Sequence, residues 1–367
     1  MCLSLDDDLI KIQYKTDEFK YEFLRKYIPI WNSIICGKSR TYRAIVETHA
    51  GTGYVTLGDK KKYGSSLILL QKTALKQEAM DFHFIEKDDK NFQELSWSIN
   101  EIIKKGFYFP GDKKGKNLVG EIRNGIPIMK EIPKYPPSTR FPDKDHIFLY
   151  NKLCIEAIKE VLKKVEGRPT FFFIDPCGKL EWELVDYIIR NRLIDENGNN
   201  RLDEDGEFFQ GTELFINFSW EAILRNKSEK FNEERRDLFF KEMYGMNLHE
   251  IDIELKNIKK KFKLENKRCS EYQLYLEIFM SKLKRNFKFV SKLDVPGIKS
   301  IKNPIYCLIF CTNNNSAKNI FLTIETVLNK KKKGYIAMKN LVSNKKDFTI
   351  EKYNEILKGN RLLDDFL

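Results

Sequence analysis

Long apolar runs, paired cysteines, a phosphate-binding lysine and a histidine set are all missing from this sequence. No stretch approaches the roughly 18 to 20 apolar residues that a membrane helix requires. The acidic start, MCLSLDDDLIKIQYKTDEFK, is the reverse of the basic and then apolar opening of a secretory signal, so no membrane association is expected and the chain is placed in the cytoplasm. The seven cysteines (Cys2, Cys36, Cys154, Cys177, Cys269, Cys307, Cys311) are odd in number and form no CxxC pair, which argues against a disulfide framework and a zinc knuckle. Cys307 and Cys311 share the stretch YCLIFCT and read as buried strand thiols. The four histidines (His49, His83, His146, His249) are too scattered for a metal set, so no metal is expected; His83 alternates into a strand as a structural residue. No internal repeat is visible.

What is present points to a globular protein. The chain has 367 residues, 42% hydrophobic and 13% aromatic, enough for one large domain or two ordinary ones with a real core. Its formal charge of +12 suits a polyanion such as RNA or DNA. Yet 53 acids stand against 65 lysines and arginines, and the lysines come in short runs such as Lys60 to Lys62 and Lys330 to Lys333. A solvated Lys/Glu-rich surface would look the same, so charge alone leaves both readings open.

Short apolar runs alternate with helical patterns, the signature of a mainly parallel sheet covered by helices. An amphipathic helix over about 17–36 (Phe19, Phe23, Tyr27 and Trp31 at helical spacing) precedes a first strand, YRAIVE. A helix from GSSLILLQKTALKQ follows, with Ser65 or Ser66 placed to cap it. DFHFIEKD is a second strand, NFQELSWSINEIIKK its helix, and GFYFPGD a third strand. Residues 113–145, rich in Lys, Gly and Pro, form a long surface excursion. Helix 147–166, strand TFFFIDP, a helix from LEWELVDYIIRNRL and strand ELFINFS resume the alternation. From 221 to 286 the pattern is helical and charged, and Ser270 to Gln273 is a capping box. FKFVSKL and PIYCLIFCT close the sheet as an antiparallel pair, because DVPGIKSIKN is too short for a crossover helix. The expected fold is α/β and Rossmann-like, with about seven strands.

The chemistry concentrates where strands end. The first strand runs into Glu47 and then THAGTG, with Ala50, Gly51 and Gly53 letting the backbone approach a ligand closely and His49 inside the loop. A Walker A loop needs Gly-Lys-Ser/Thr, and a dinucleotide fingerprint needs a third glycine where Thr56 stands. S-adenosylmethionine (SAM) is the remaining cofactor, its ammonium meeting the strand-end acid; a glycine-rich turn without a ligand is the alternative. The second strand places Glu86, with Lys87 beside it, where a carboxylate can accept ribose hydroxyls. The third offers Asp112 to an adenine amine.

The fourth strand is the sharpest signal: four apolar residues run into Asp175, Pro176, Cys177 and Gly178 at the edge where open α/β sheets bind ligands. A buried strand ending in Asp-Pro can aim a carboxylate and rigid carbonyls at a planar amine, as methylation of an exocyclic base nitrogen requires; a plain turn is the alternative. Cys177 has no histidine near it in sequence and reads as a substrate-facing or packing residue. Asn217, at the end of ELFINFS, either bonds the substrate, braces the Asp-Pro loop or is a satisfied interior asparagine.

The ordered phrases YRAIVETHAGTG, GSSLILL, FHFIEKDDKNFQEL, FFFIDPCGKLEWELV, ELFINFSWEAILRN and YCLIFCTNNNSAKNI resemble the three-Cys-motif partner protein family over about residues 17–330. That family is similar to class I SAM-dependent methyltransferases. The resemblance implies a Rossmann-like class I methyltransferase fold, with a mostly parallel seven-stranded sheet, an antiparallel last strand and a helical insertion. It implies Glu47, Gly51 and Gly53 at the methionine part of the cofactor, Glu86 at the ribose and Asp112 near the adenine. On this reading 1–40 is an N-terminal helical segment, 41–220 with 287–330 the SAM-binding domain, 221–286 the helical insertion and 331–367 a C-terminal extension.

The family takes its name from a neighbouring iron-sulfur type protein with a three-cysteine motif, which becomes an expected protein partner beside nucleic acid, RNA ahead of DNA. Two departures stand out. Glu47-Thr48-His49-Ala50-Gly51-Thr52-Gly53 is polar where the family favours an aromatic, and Cys177 replaces the phenylalanine of Asp-Pro-Phe-Gly that would stack on a base. The same phrase also resembles that of tRNA guanine-N2 methyltransferases, which favours an exocyclic amine as acceptor. The function expected is methylation of such an amine, with Asp175, Pro176, Cys177 and Asn217 around it. The alternative is a non-catalytic methyltransferase-like partner that docks the three-cysteine protein.

Overall fold

The computed structural model describes residues 19–38, 43–57, 60–73, 80–105, 118–123, 126–131, 145–176, 178–202, 206, 209–228, 232–296 and 304–343. Helix α1 (Phe19–Lys38) leads into strand β1 (Arg43–Glu47), a hairpin of β2 (Tyr54–Leu57) and β3 (Lys60–Tyr63), and α2 (Ser65–Thr73). Next come β4 (Met80–Ile85), α3 (Asp89–Lys105), a second hairpin of β5 (Leu118–Arg123) and β6 (Ile126–Glu131), β7 (Asp145–Tyr150) and α4 (Cys154–Lys164). Strand β8 (Thr170–Ile174), α5 (Trp182–Leu193) and β9 (Thr212–Ser219) precede four helices, α6 (Trp220–Asn226), α7 (Glu233–Tyr244), α8 (Leu248–Leu264) and α9 (Glu271–Leu283). Strands β10 (Phe289–Pro296) and β11 (Pro304–Thr312) and helix α10 (Asn315–Ser343) complete it.

Strands β9, β8, β1, β4 and β7 lie side by side and parallel. Strand β11 runs against β9 on one side and β10 on the other, as the short connection between β10 and β11 required. These seven strands, mostly parallel with the last one reversed, are the Rossmann-like class I methyltransferase arrangement. The β5–β6 hairpin adds two antiparallel strands beyond β7, giving a sheet of nine. The chain enters at β1, steps outward to β4 and β7, then returns to β8 on the other side of β1. That reversal opens a crevice outside the carboxyl ends of β1 and β8.

Alternation along the strands assigns the two layers. Phe171 and Phe173 pack with α1, α2, α3 and α10, while Phe172 and Ile174 pack with α4 to α9. All four are fully buried, each contributing roughly 1.5 to 3 kcal/mol of apolar burial. The helices over 220–283 are joined to this core through Phe218, whose ring meets Tyr244 and Phe279. Capping boxes start α8 (Asn247 with Glu250) and α9 (Ser270 with Gln273, as the sequence predicts). Helix α1 crosses the opposite face: Phe23 stacks on Phe215 at 4.2 Å, and the buried Tyr27 hydroxyl donates to Glu213.

Three expectations change. Residues 147–150 are strand, not the start of a helix; α4 begins only at Cys154, after the Asn151-Lys152-Leu153 turn. Aromatic and β-branched side chains in HIFLY favour the extended form, and β4 offers them a free edge. The third parallel strand is therefore β7, since β4 already has β1 on one side and β7 on the other. GFYFPGD and its Asp112 lie outside the described residues. Within the 113–145 excursion the described parts are the two strands of the edge hairpin and Asp145, which begins β7. Finally, the first helical bond of α2 runs from Ile68 N to Gly64 O, and Ser66 Oγ donates to Ala50 O, so neither serine caps as expected.

Among the described residues no helix is long and apolar enough to cross a membrane.

Candidate active site

The glycine loop is held by backbone ties to two strands and to Gly64, just beyond β3. Thr48 N bonds to Phe173 O of β8 at 3.0 Å, Ala50 N to Ile85 O of β4 at 2.9 Å, and Gly64 N to Gly53 O at 2.8 Å. That last bond closes the base of the β2–β3 hairpin, which is inserted between the loop and α2. Gly51 and Gly53 both take left-handed φ, +61° and +79°, which glycine adopts at little cost. The two differ in surroundings: a Cβ at Gly53 would come within 3.2 Å of Leu95 and Ser98, whereas at Gly51 nothing lies within 4 Å.

Glu47 ends β1 with no exposed surface, and neither carboxylate oxygen has a hydrogen-bond partner. Burial pushes its pKa up to about 8, eased by the adjacent Ser65 and Ser66. The hydroxyl proton of Ser66 is already given to Ala50 O.

Glu86 is tied down instead. Gly51 N and Asp88 N each donate to one of its oxygens at 2.9 Å, so its immediate work is to hold the glycine loop in shape. Lys87 is exposed beside it.

At the end of β8, Asp175 is buried and held from two sides. Asn217 Nδ2 donates to Oδ1 at 2.6 Å and Lys20 Nζ donates to Oδ2 at 2.7 Å. Asn217 thus braces the Asp-Pro loop, one of the roles its position allowed, and its Oδ1 is buried without a partner. The Asp175 carboxylate fixes that amide's orientation, since the reverse flip would set two oxygens against each other. Burial works against the Lys20 ammonium, but Asp175 outweighs it and lifts Lys20 above the ordinary lysine range. The Pro176 carbonyl accepts from Gly178 N at 2.8 Å in a tight turn. Cys177 lies outside the described residues.

His49 is half-buried, its Nδ1 2.8 Å from Thr48 Oγ1 and its Nε2 3.4 Å from Cys154 Sγ. Burial pushes its pKa down to about 4, which keeps the ring neutral, and burial lifts the Cys154 thiol to about 12. A neutral imidazole beside an un-ionised thiol is a packing contact under the loop, not a nucleophilic pair. His83 is buried, stacked on Phe148 and bonded through Nδ1 to Tyr150, in keeping with a structural role. No group of three or more metal-ligating side chains occurs among the described residues.

Lys20 and Cys154 were not singled out from the sequence. Lys20 had a signal: it shares a helical stripe with Leu24, Tyr27 and Trp31, an apolar face on which a lysine needs a partner. Cys154 had none, because its neighbour His49 is 105 positions away.

No family model matches the chain, and no curated protein matches it either. Solved structures do: LPL1258 from Legionella pneumophila, of the family DUF519, is 10% identical, covers 83% of this chain and 91% of its own, with a TM-score of 0.36. The plantazolicin methyltransferase BamL, in complex with a triazolic desmethyl analogue and SAH, is 11% identical over 83% of this chain and 90% of its own, with a TM-score of 0.31. A second plantazolicin methyltransferase, BpumL with SAH, is 10% identical over the same shares at 0.25. At such low identity, function has to be argued from this chain's own residues.

Proposed function

We propose that this chain is a SAM-dependent methyltransferase whose acceptor is an exocyclic amine of a nucleic-acid base, RNA ahead of DNA. One observation carries the reading: a fully buried, unpartnered carboxyl, Glu47, stands beside a glycine loop at the point where the strand order reverses. An amino-acid ammonium is a group that would satisfy it. Open space over Gly51 leaves room for a ligand against the backbone, and Glu86 keeps that backbone in place while retaining lone pairs for a hydroxyl.

The bound cofactor would supply an electrophilic methyl group. This chain's residues supply position. Asp175, pinned by Lys20 and Asn217, is a fixed acceptor for an amine N–H, and fixing it beforehand removes reorganisation from the reaction. The Pro176 carbonyl, already engaged by Gly178, contributes less than its sequence position promised.

The test is transfer of a labelled methyl group from SAM to total RNA and to DNA, with Asp175→Ala as control. Transfer to RNA that disappears in the variant is the expected result. The net positive charge further predicts that RNA affinity falls steeply between about 50 and 200 mM salt. A second reading draws on the same Lys20–Asp175 contact: if it never opens, the site is vestigial and the chain is a docking partner for the three-cysteine protein. In that case Asp175→Ala leaves every cellular phenotype intact, whereas changes in the 221–286 helices abolish it.

A further inference from the structure

The groups around Glu47 come from four places. Lys20 and Tyr21 act on it from α1, Ser65 and Ser66 from α2 and Asp175 from the end of β8, and the glycine loop follows it directly in the chain. None of them neutralises it. Lys20, the one cation in this set, is spent on Asp175 at 2.7 Å, and Asp175 itself repels a second carboxylate. Tyr21 is pushed up to about 12 by burial and stays uncharged. Ser66, its proton given to Ala50 O, can offer Glu47 a lone pair, which a protonated carboxyl can use and a carboxylate cannot. A buried carboxylate eased only by the neighbouring Ser65 and Ser66 hydroxyls, its nearby cation engaged by Asp175, is costly enough that it takes up a proton instead.

We propose that Glu47 is a neutral acid in the free protein and surrenders its proton when an α-ammonium group docks against it, so that ligand binding and proton exchange are one event. This deepens the methyltransferase reading and rests on it. The consequence is a change of sign with pH. Taking for the ligand the value of about 7.7 to 8.0 that an α-amino group has at a peptide terminus, the two partners titrate close together, Glu47 at about 8. The bound pair shares a single proton. Below pH 8 the two partners arrive with nearly two protons and one leaves. Above it they arrive with almost none and one is taken up. With these values about 0.8 proton is released at pH 7, none near pH 8, and about 0.8 is absorbed at pH 9. Affinity peaks near pH 8 and is about twentyfold weaker at pH 6.

Isothermal titration of the full chain with SAM, from pH 6 to 9 in pairs of buffers of different ionisation enthalpy, reads both quantities. The expected result is proton release that turns into uptake near pH 8. 5′-Methylthioadenosine, which has the nucleoside but no amino-acid part, is expected to bind without exchanging a proton. SAM binding whose heat is the same in every buffer overturns the inference and leaves the methyltransferase reading standing. Equal exchange with 5′-methylthioadenosine also overturns it, since the proton then comes from elsewhere. If SAM does not bind at any pH, both fall. Glu47→Gln is expected to abolish the release at pH 7; should that variant not fold, the wild-type profile and the methylthioadenosine comparison still decide.

Discussion

Replacing Lys20 by methionine tests whether Asp175 is held as tightly as its contacts imply. The Nζ–Oδ2 distance is 2.7 Å, and the side chains are only 19% and 9% exposed. Removing one partner of a fully buried ion pair costs about 3 to 5 kcal/mol, because the other charge is left uncompensated. Here two features lower that figure: water reaches part of the lysine, and the Asn217 bond to Asp175 survives. Methionine also keeps most of the packing of the lysine stem, so the loss comes to about 2 kcal/mol. For a chain of this size that is a fall of roughly 3 °C in thermal midpoint.

A double-mutant cycle with Asp175→Asn separates the pair from its surroundings. We expect a coupling energy of at least about 1.5 kcal/mol, against about 0.5 for a loose surface pair. It should hardly change in 0.5 M salt, since a buried pair is poorly screened. A coupling below about 0.5 kcal/mol, or one that salt removes, would refute the claim that Lys20 pins the carboxylate.

Three further outcomes are expected. Gly53→Ala should destabilise by about 2 to 4 kcal/mol, since it adds crowding against Leu95 and Ser98 to a left-handed φ. Gly51→Ala should lose only about 1 kcal/mol yet weaken SAM binding; equal melting losses would sink this contrast. Glu213, buried and raised to about 8, holds a proton in the folded state that the unfolded chain gives up near pH 4.3. Stability therefore falls as pH rises through that window, by up to about 1.4 kcal/mol per unit, and Glu213→Gln should gain on the wild type between pH 5 and 8 in thermal scans. Arg192 is buried and donates to Val165 O at 2.8 Å, Thr212 Oγ1 at 3.1 Å and Gly211 O at 3.3 Å, beneath the amino ends of β8 and β9. Arg192→Lys should therefore be nearly as unstable as Arg192→Met, about 3 kcal/mol below wild type, because an ammonium cannot span the fork.

Strands β1, β4 and β8 were legible because they are buried on both faces, and continuous apolar runs such as AIV, FHFI and FFFI stand out in one dimension. Strand β7 was not, because HIFLY runs into the amphipathic CIEAIKEVLKK with only a three-residue turn between them, and the helical period absorbed it. The site shows the same division. Glu47, Gly51 and Asp175 announce themselves by standing where apolar strands stop. Their partners do not: Lys20 is 155 positions from Asp175 and Glu86 is 35 from Gly51. Contacts at such separations leave no period and no local composition to read. That is why Glu86 appeared as a bare ribose acceptor, when much of its capacity is given to the loop amides.

Helix α1 is fastened at both ends of the sheet. Lys20 binds Asp175 beyond the carboxyl end of β8, and Tyr27, two turns further along, binds Glu213 near the amino end of β9, with Phe23 clamped on Phe215 between them. Such a member works as a strut. It cannot swing aside without breaking two buried polar contacts and an aromatic stack together, so on the proposed reading a bulky acceptor would approach Asp175 past the helix and not beneath it. Unfastening α1 would loosen the middle of the sheet and the reacting edge in the same step, which makes the first described segment of the chain a keystone of the site.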